Sequence, residues 1–474
     1  YFNYIQQINY NYIDKDNFIK YKPYYFPNYK QLNDTFLNLK LNINISFSNL
    51  KPSILTISEW GYPAFGGGEN WLLNMNKLFF ELDYECYMIC FSDGFKGESF
   101  KNINYIKLDY LHIIQMPFDY LTLFKFIQMI QPQFINHQGV KRYQIMKISN
   151  ILEIPFITGF CFWNNILQDG FSNINILKNN HLQKDDLFDE IINHSYSYAS
   201  SHFVNDVIYK FFNKKIDVIE SISLKDDYYI QNTEDYYVTL LNCHFNKGGF
   251  LLERLIQDLN INIPLLLIYT EYDDQLNLNT IQKLIDQRNL KKNINILFTQ
   301  KQEIKEIYRK TKIILIPSLC DETFCRVGYE AKMNNIPIIS TDSGNLKYLL
   351  KEYALFLENN VDLWINNIEE LYFKKNIKKI SQQINIINTY EAELKNKIKN
   401  IFINHKTSKY KLNDKHIGLI VPWADQGLGI QSRSYYHSLK NIGFNPFIFS
   451  FKPYHGNDEN NYLQHDPNEW KLEN

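Results

Sequence analysis

Two glutamates, Glu322 and Glu330, sit eight positions apart in the stretch IILIPSLCDETFCRVGYEAKMNNIPIISTDSGNL, residues 313–346. An apolar run, Ile313 to Ile316, closed by Pro317, predicts a buried strand, and a polar loop from Ser318 to Thr323 follows it. The second glutamate falls in a predicted helix, Arg326 to Met333, and Asn335 is placed to take the left-handed turn that ends it. Pro337 opens a second buried strand, Ile338 to Thr341. Ligands of parallel-sheet proteins gather at the carboxyl ends of such strands. At a helical rise of about 1.5 Å per residue, the two carboxylates can engage different ends of one extended ligand. Taken alone, the pair reads as a solvated loop acid plus an ordinary helix glutamate in preference to a ligand site.

Lys247-Gly248-Gly249 precedes a predicted helix, Phe250 to Leu259. An ammonium beside unhindered amides at a helix N-terminus suits a diphosphate, and a solvated loop lysine is the alternative. Gly66-Gly67-Gly68, followed by Glu69, lies between a predicted strand, Ile54 to Ile57, and a helix with apolar residues at Trp71, Leu72, Met75, Leu78 and Phe79. Glycines so placed either present amides to an anion or simply make a tight turn. His137 follows a strand, Phe134 to Asn136, and Cys161 lies beyond the strand Phe156 to Gly159. A histidine in such a position is ordinarily a hydrogen-bonded structural residue.

The elements that must position these groups alternate. Strand, glycine loop, helix and strand (Tyr87 to Phe91) open a Rossmann-like unit. Helix Phe118 to Ile130, a helix before Pro155, strand Ile191 to His194, helix Phe203 to Phe212 and strand Asp217 to Ile219 continue it, with Asn164 to Asp185 a loop over a cleft. A polar boundary at Gln231 to Asp235 precedes strand Tyr237 to Leu241 and a second alternation. That one runs through strand Leu265 to Thr270, helix Ile281 to Arg288, strand Ile294 to Phe298 and helix Gln302 to Arg309. Helices Leu363 to Phe373 and about Ile377 to Phe402 finish it. At 474 residues the chain is too long for one core.

With 50 basic and 51 acidic residues, no nucleic-acid footprint appears. Cys86, Cys90, Cys161, Cys243, Cys320 and Cys325 have no metal-ligand or disulfide-framework spacing, which fits a reducing compartment. No apolar run reaches the roughly 18–20 residues of a membrane span. These features predict a cytoplasmic protein, with peripheral attachment at a membrane left open. A Rossmann oxidoreductase is disfavoured, because no G-x-G-x-x-G follows a strand with an acidic residue about 20 positions on.

The run Pro317-Ser318, Glu322-Thr323-Phe324, Arg326-Val327, Glu330-Ala331 and Ile336-Pro337-Ile338 resembles the donor-site signature of family 4 glycosyltransferases. The resemblance covers residues 53–405. It implies an α/β protein of glycosyltransferase-B architecture, with an N-terminal Rossmann-like, acceptor-side domain (53–232) facing a nucleotide-sugar-binding domain (233–405) across a cleft. It further implies an enzyme moving a sugar from a UDP- or GDP-activated donor to a glycan, lipid or protein acceptor, with retention, without metal and without a cofactor. Glu322, Lys247 and Arg326 become the catalytic candidates. Donor binding falls to Glu330, Thr323, Phe324, Cys325, Gly248, Ser343, Gly344 and Gly66 to Gly68, and the reacting-centre neighbourhood to His137 and Cys161. The chain departs from the pattern in places. Asn242 stands where the family has a second phosphate-binding arginine, Cys161 near where it has a histidine, Cys325 where it has a glycine, and Asn345, Lys347 and Tyr348 where it has Gly-Pro-Glu. A catalytically degenerate module that binds sugar or nucleotide, or acts as a scaffold, is therefore the alternative expectation.

Residues 1–52 read as an extension or the tail of a preceding module, and 406–415 as a linker. Strand Ile417 to Val421, Gly427-Leu428-Gly429, a helix face at Tyr435, Tyr436, Leu439 and Ile442, and strand Pro446 to Phe451 repeat the opening pattern. Residues 416–474 are thus expected to begin a second glycosyltransferase module, with the chain a piece of a longer multi-module protein.

Overall fold

The computed structural model describes residues 51–451 except 65, 94–97, 140, 164–165, 168–175, 178–184, 186, 261, 270–277, 292–295, 301–302, 375–390, 401–415, 423–426 and 442. Residues 1–50 of the expected N-terminal extension, the linker at 406–415, much of the loop after Asn164 and, of the expected helix Ile377 to Phe402, all but 391–400 lie outside the described residues.

The first sheet holds β1 (Ser53–Trp60), β2 (Glu85–Ser92), β3 (Asn104–Leu108), β4 (Leu111–Gln115), β5 (Phe134–Gln138), β6 (Phe156–Phe160), β7 (Tyr196–Ala199) and β8 (Asp217–Val218). Their order is β3-β4-β2-β1-β5-β6-β7-β8, parallel throughout except for the β3/β4 hairpin at the edge. The second sheet holds β9 (Tyr237–Leu240), β10 (Leu265–Tyr269), β11 (Ile296–Gln300), β12 (Thr311–Ile316), β13 (Ile338–Ser340) and β14 (Ala354–Phe356), in the order β11-β10-β9-β12-β13-β14. That order is the 3-2-1-4-5-6 of a doubly wound sheet, so the chain reverses direction across the sheet between β9 and β12. The first sheet reverses in the same way between β1 and β5.

Continuous apolar strands explain both sheets. Strands covered by helices on both faces need no polar alternation, and Ile54, Leu55 and Ile57 in β1 and Ile313 to Leu315 in β12 are all buried. Helices Gly67–Glu81 and Gly249–Asp258 cover them with Trp71, Leu72, Met75 and Leu78, and with Leu251, Leu252, Leu255 and Ile256. One cluster joins the first sheet's core (Ile54, Trp71, Tyr198) to Phe324, Tyr329 and Met333, and to Leu394 and Ile398 of a helix over 391–400.

A third, two-stranded parallel sheet pairs β15 (His416–Pro422) with β16 (Asn445–Phe451), joined through helix Gly427–Asn441. The first two sheets belong to one compact unit and this β-α-β element to another.

Several local expectations change. The predicted strand at Ile191 to His194 is part of a helix, Phe188–His194; Phe188 and Ile191 bury one helical face, and acidic Asp189 and Glu190 occupy the first turn. The neighbouring strand is instead Tyr196–Ala199. His137 does not follow β5 but lies inside it. Gly67 and Gly68 are the first residues of their helix rather than its preceding loop. Among the described residues, no helix is long and apolar enough to cross a membrane.

Candidate functional site

The reversal in the second sheet places two chain segments side by side at the carboxyl ends of neighbouring strands. After β9 a single 3-10 turn, Phe245–Lys247, delivers Lys247; after β12 the loop 317–325 delivers Glu322. Their side chains meet, Lys247 Nζ lying 2.5 Å from Glu322 Oε1. The Ser318 hydroxyl donates to the same oxygen at 2.6 Å. Lys247 is about one-third exposed and Glu322 is 12% exposed, so the pair is largely withdrawn from water. Burial alone pulls the ammonium down, but the Glu322 carboxylate and neighbouring Cys320 more than offset this and hold it above the usual lysine range. Lys247 is thus an ion-paired residue rather than a solvated loop lysine.

Backbone geometry fixes this loop tightly. Gly248, at φ +145°, turns the chain from the 3-10 segment into helix Gly249–Asp258, where a Cβ would lie 2.7 Å from Leu240 and 2.9 Å from Pro317. Gly344, at φ +61°, bridges Glu322 in parallel register. The Asn345 amide N–H donates to the Glu322 carbonyl at 2.8 Å, and the Asn345 side chain donates to the Phe324 carbonyl at 3.0 Å. Ser343 and Thr341 hydroxyls both donate to the Ser318 carbonyl, at 3.0 and 2.8 Å. Thus Ser343 and Gly344 support the loop that carries Glu322.

Cys325 caps helix Arg326–Met333 at φ +71° and ψ +78°. A left-handed conformation costs a residue with a Cβ roughly 1–2 kcal/mol, which gives a physical reason for the glycine found there in the family pattern. Burial pushes the Cys325 thiol up, so it stays protonated. Asn335, at φ +53°, terminates the helix region in the expected left-handed turn.

Glu330 is 4% exposed and heavily engaged. Tyr308, itself fully buried, donates its hydroxyl to Oε2 at 2.6 Å, while the Ser223 hydroxyl donates to Oε1. Arg326 Nε lies 3.5 Å from Oε1. Burial and then the Glu330 charge drive the Tyr308 phenol well above its ordinary value, which keeps it a donor. Neither Tyr308 nor Ser223 carries a sequence signal: both reach Glu330 from distant elements, 22 and 107 positions away. Ser318 does carry one, since it stands in the run before Glu322, but nothing in that run shows what its hydroxyl bonds to.

The loop also docks on the carboxyl ends of the first sheet. Thr323 Oγ1 donates to the Cys161 carbonyl at 2.8 Å, Ser201 Oγ to the Thr323 carbonyl at 2.5 Å, and Trp163 Nε1 to the Asp321 carbonyl at 3.0 Å. Asp321, 6% exposed, accepts the Ile176 amide at 2.6 Å, and burial raises its carboxyl above the ordinary aspartate value. Arg326 Nη1 donates to the Gly67 carbonyl at 3.3 Å, bringing the start of the helix Gly67–Glu81 to the start of the Arg326 helix. Gly68 packs so closely that a Cβ would meet the Phe162 ring at 2.4 Å.

The remaining candidates are placed differently. His137 is fully buried in β5, its ring against Phe156 at 5.8 Å, and its carbonyl accepts from Thr158. It has no exposed surface to offer an acceptor. Cys161 is 6% exposed beside Ser221, and burial pushes its thiol up to about 12, so it is no nucleophile at neutral pH. Asn242 uses its side-chain oxygen on the His244 amide at 2.9 Å. Among the described residues, no group of three or more His, Cys, Asp or Glu side chains is placed to hold a metal ion.

Residues 224–404 match the family model Glycosyl transferases group 1. The fold is similar to that of Anabaena Alr3699/HepE in complex with UDP, with a TM-score of 0.54, 13% identity, and 74% of this chain and 100% of that one covered. It is also similar to a glycosyltransferase from Rickettsia africae (TM-score 0.50, 16% identity, 83% and 99% covered). A third match is sucrose-phosphate synthase from Thermosynechococcus elongatus (TM-score 0.50, 13% identity, 83% and 100% covered). The fold is glycosyltransferase-B. No curated protein matches the chain by sequence.

Proposed function

We propose that this chain is a family 4-like retaining glycosyltransferase that uses a nucleotide-activated hexose, with residues 53–232 on the acceptor side and 233–405 on the donor side. The observation carrying the reading is the Lys247–Glu322 pair at the β9/β12 reversal, inside the segment that matches the group 1 model. Similar folds in complex with UDP and with UDP-glucose favour a UDP-sugar over other donors.

In this reading Glu330 accepts the ribose hydroxyls and Glu322 those of the donor sugar. The Lys247 and Ser318 bonds to Glu322 both end on Oε1, which leaves Oε2 for a sugar hydroxyl. Lys247, Arg326 and the amides of Phe324, Cys325 and Arg326 take the diphosphate, with Gly248, Thr323, Ser343 and Gly344 holding the loop. As the anomeric C–O bond breaks, the electron pair passes to the diphosphate oxygen, and fixed cations and amides stabilise that charge without a metal. The acceptor oxygen forms the new bond to an anomeric carbon with oxocarbenium character and loses its proton. Gly66 to Gly68 then lie against the donor phosphates and the acceptor, and the Cys161 neighbourhood lines the acceptor side. Residues 416–474 are read as the start of a second such module, supported by the parallel β15/β16 pair around helix Gly427–Asn441.

A second reading, a degenerate module that binds but does not transfer, draws support from Asn242, committed to its own turn, and from the strained Cys325. Nucleotide release from UDP-, GDP- and other activated sugars, followed for the whole chain and for Glu322→Gln, separates the two. Release from one donor that falls at least 100-fold in the variant supports transfer. Nucleotide binding with no release under any acceptor mixture supports a degenerate module that binds nucleotide, and no nucleotide binding sinks the transferase and leaves the degenerate scaffold.

A further inference from the structure

The Arg326 guanidinium holds together three partners that a nucleotide would have to rearrange. Its Nε lies 3.5 Å from Glu330 Oε1, its Nη1 donates to the Gly67 carbonyl at 3.3 Å, and its Cζ lies 5.1 Å from the centre of the Tyr228 ring. Its side chain is only 9% exposed, and Nη2 is buried with no hydrogen-bond partner. A buried guanidinium N–H without an acceptor is rare because it forfeits strong charge-assisted bonds. Here it lies at the first turn of an eight-residue helix, against the start of the helix Gly67–Glu81. The helix start and the orphaned donor both favour an anion.

Glu330 supplies the other half of the argument. Its Oε2 is taken by Tyr308 at 2.6 Å and its Oε1 by the Ser223 hydroxyl, so the 3.5 Å approach of Arg326 is the weakest hold on it. A ribose hydroxyl can therefore reach Oε1 at the cost of that one contact. Asn242 supplies no charge to a phosphate, since it is neutral and its oxygen is spent on His244. Lys247, the other cation beside the Glu322 loop, is already paired with Glu322.

We infer that Arg326 is an exchangeable diphosphate ligand that rests on Glu330 and, when a nucleoside diphosphate enters, swings its guanidinium onto the phosphates and yields Oε1 to the ribose. The inference rests on the reading of this cleft as a nucleotide-sugar site and adds to it a switch between two partners. The face of Tyr228 supports the guanidinium in its resting position on Glu330. Occupation by ribose and capture of phosphate are then coupled through one side chain, and the separate gains from the two groups sum to less than what the whole ligand gains.

The test compares two ligands that differ only in phosphate. Binding of uridine and UDP, guanosine and GDP, and adenosine and ADP is measured by calorimetry, and by competition where weak, for the whole wild-type chain, Arg326→Met and Arg326→Lys. For the base that wild type binds, Arg326→Met should weaken the diphosphate at least 10-fold and tighten the nucleoside about 3-fold or more. Arg326→Lys should restore part of the diphosphate affinity. Equal weakening of nucleoside and diphosphate in both variants would mean that Arg326 only braces the helix, and would overturn the inference. Tightening of both would make it a mere blocker, which overturns the inference as well. Urea midpoints for each variant identify a fold defect, and Arg326→Lys keeps the crossed comparison available if Met does not fold. If wild type binds no nucleotide of any base, the reading of the site itself fails, which is a different result from an uncrossed pattern in a protein that binds.

Discussion

Replacing Gly344 with alanine tests how the Glu322 loop is held. At φ +61° an alanine pays roughly 1–2 kcal/mol for the left-handed conformation. Its Cβ would lie 2.4 Å from the Glu322 amide nitrogen, 2.5 Å from the Glu322 oxygen and 2.8 Å from the Asp321 carbonyl carbon. All three atoms are backbone, so no side chain can swing away. Ordinary contact needs the two segments to part by about 1 Å. Parting them stretches the 2.8 Å bond from the Asn345 amide to the Glu322 carbonyl, worth about 1 kcal/mol net. The expected loss is about 2–4 kcal/mol in urea unfolding. A displacement of about 1 Å at a group that positions a reacting sugar costs on the order of 100-fold in rate. Gly67→Ala is the control. There a Cβ meets only the flexible Arg326 side chain, with Cδ at 3.4 Å, and a helical alanine is favoured by about 0.5–1 kcal/mol, so stability should stay within ~1 kcal/mol of wild type. Urea midpoints with unchanged m-values, and initial rates of nucleotide release, read both effects. A Gly344→Ala protein with a wild-type midpoint and a release rate within twofold would refute this account of the loop.

Two further outcomes follow from buried groups. The Asp321 carboxyl has a folded-state pKa raised above its ordinary 3.8, chiefly by burial, so the folded protein binds this proton more tightly and stability falls as pH rises from near 3.8 through the folded value. Asp321→Asn keeps an oxygen for the Ile176 amide and removes the charge; urea midpoints at pH 4, 5.5 and 7 should show a shallower fall, with no loss beyond ~1 kcal/mol at pH 7, and an unchanged slope would count against the assignment. Tyr308→Phe removes the 2.6 Å donor from the buried Glu330 and should cost about 1–3 kcal/mol in the same assay, whereas a change below ~0.5 kcal/mol would mean that Glu330 does not depend on it.

The sequence and the structure agree most closely where periodicity and breakers act together. The strand-loop-helix-strand run from β12 to β13 is legible because its strands are continuously apolar, its helix ends at an asparagine, and Pro337 marks the next strand. The strand before each glycine run and the helix after it are legible for the same reason, although Gly67 and Gly68 already belong to the helix. The β3/β4 hairpin is not, because Asn104–Leu108 is an edge strand whose residues are exposed or half-buried, so no core pattern marks it. Phe188–His194 misleads because a short helix with two adjacent isoleucines looks like a strand when its i, i+3 spacing covers only two turns. The carboxylates and the lysine of the site are visible as residue types at telling positions. Their hydroxyl partners are not, because Ser223 and Tyr308 come to Glu330 only through tertiary packing. The strain at Cys325 is equally hidden, since a missing glycine signals it only once the turn is known.

The apolar cluster that joins Phe324, Tyr329 and Met333 to Ile54 and Trp71 also includes Leu394 and Ile398 from the helix over 391–400. Melting in such a molecule follows shared apolar contacts rather than strand pairing, because contiguous buried groups open together. The cooperative unit that contains the Glu322 and Glu330 segment therefore takes in the first sheet as well, although both glutamates are attached by chain to the second. A destabilising change deep in the first sheet, at Trp71 or Ile54, would be felt as a loosened donor site, so the two halves of the cleft inherit one common stability.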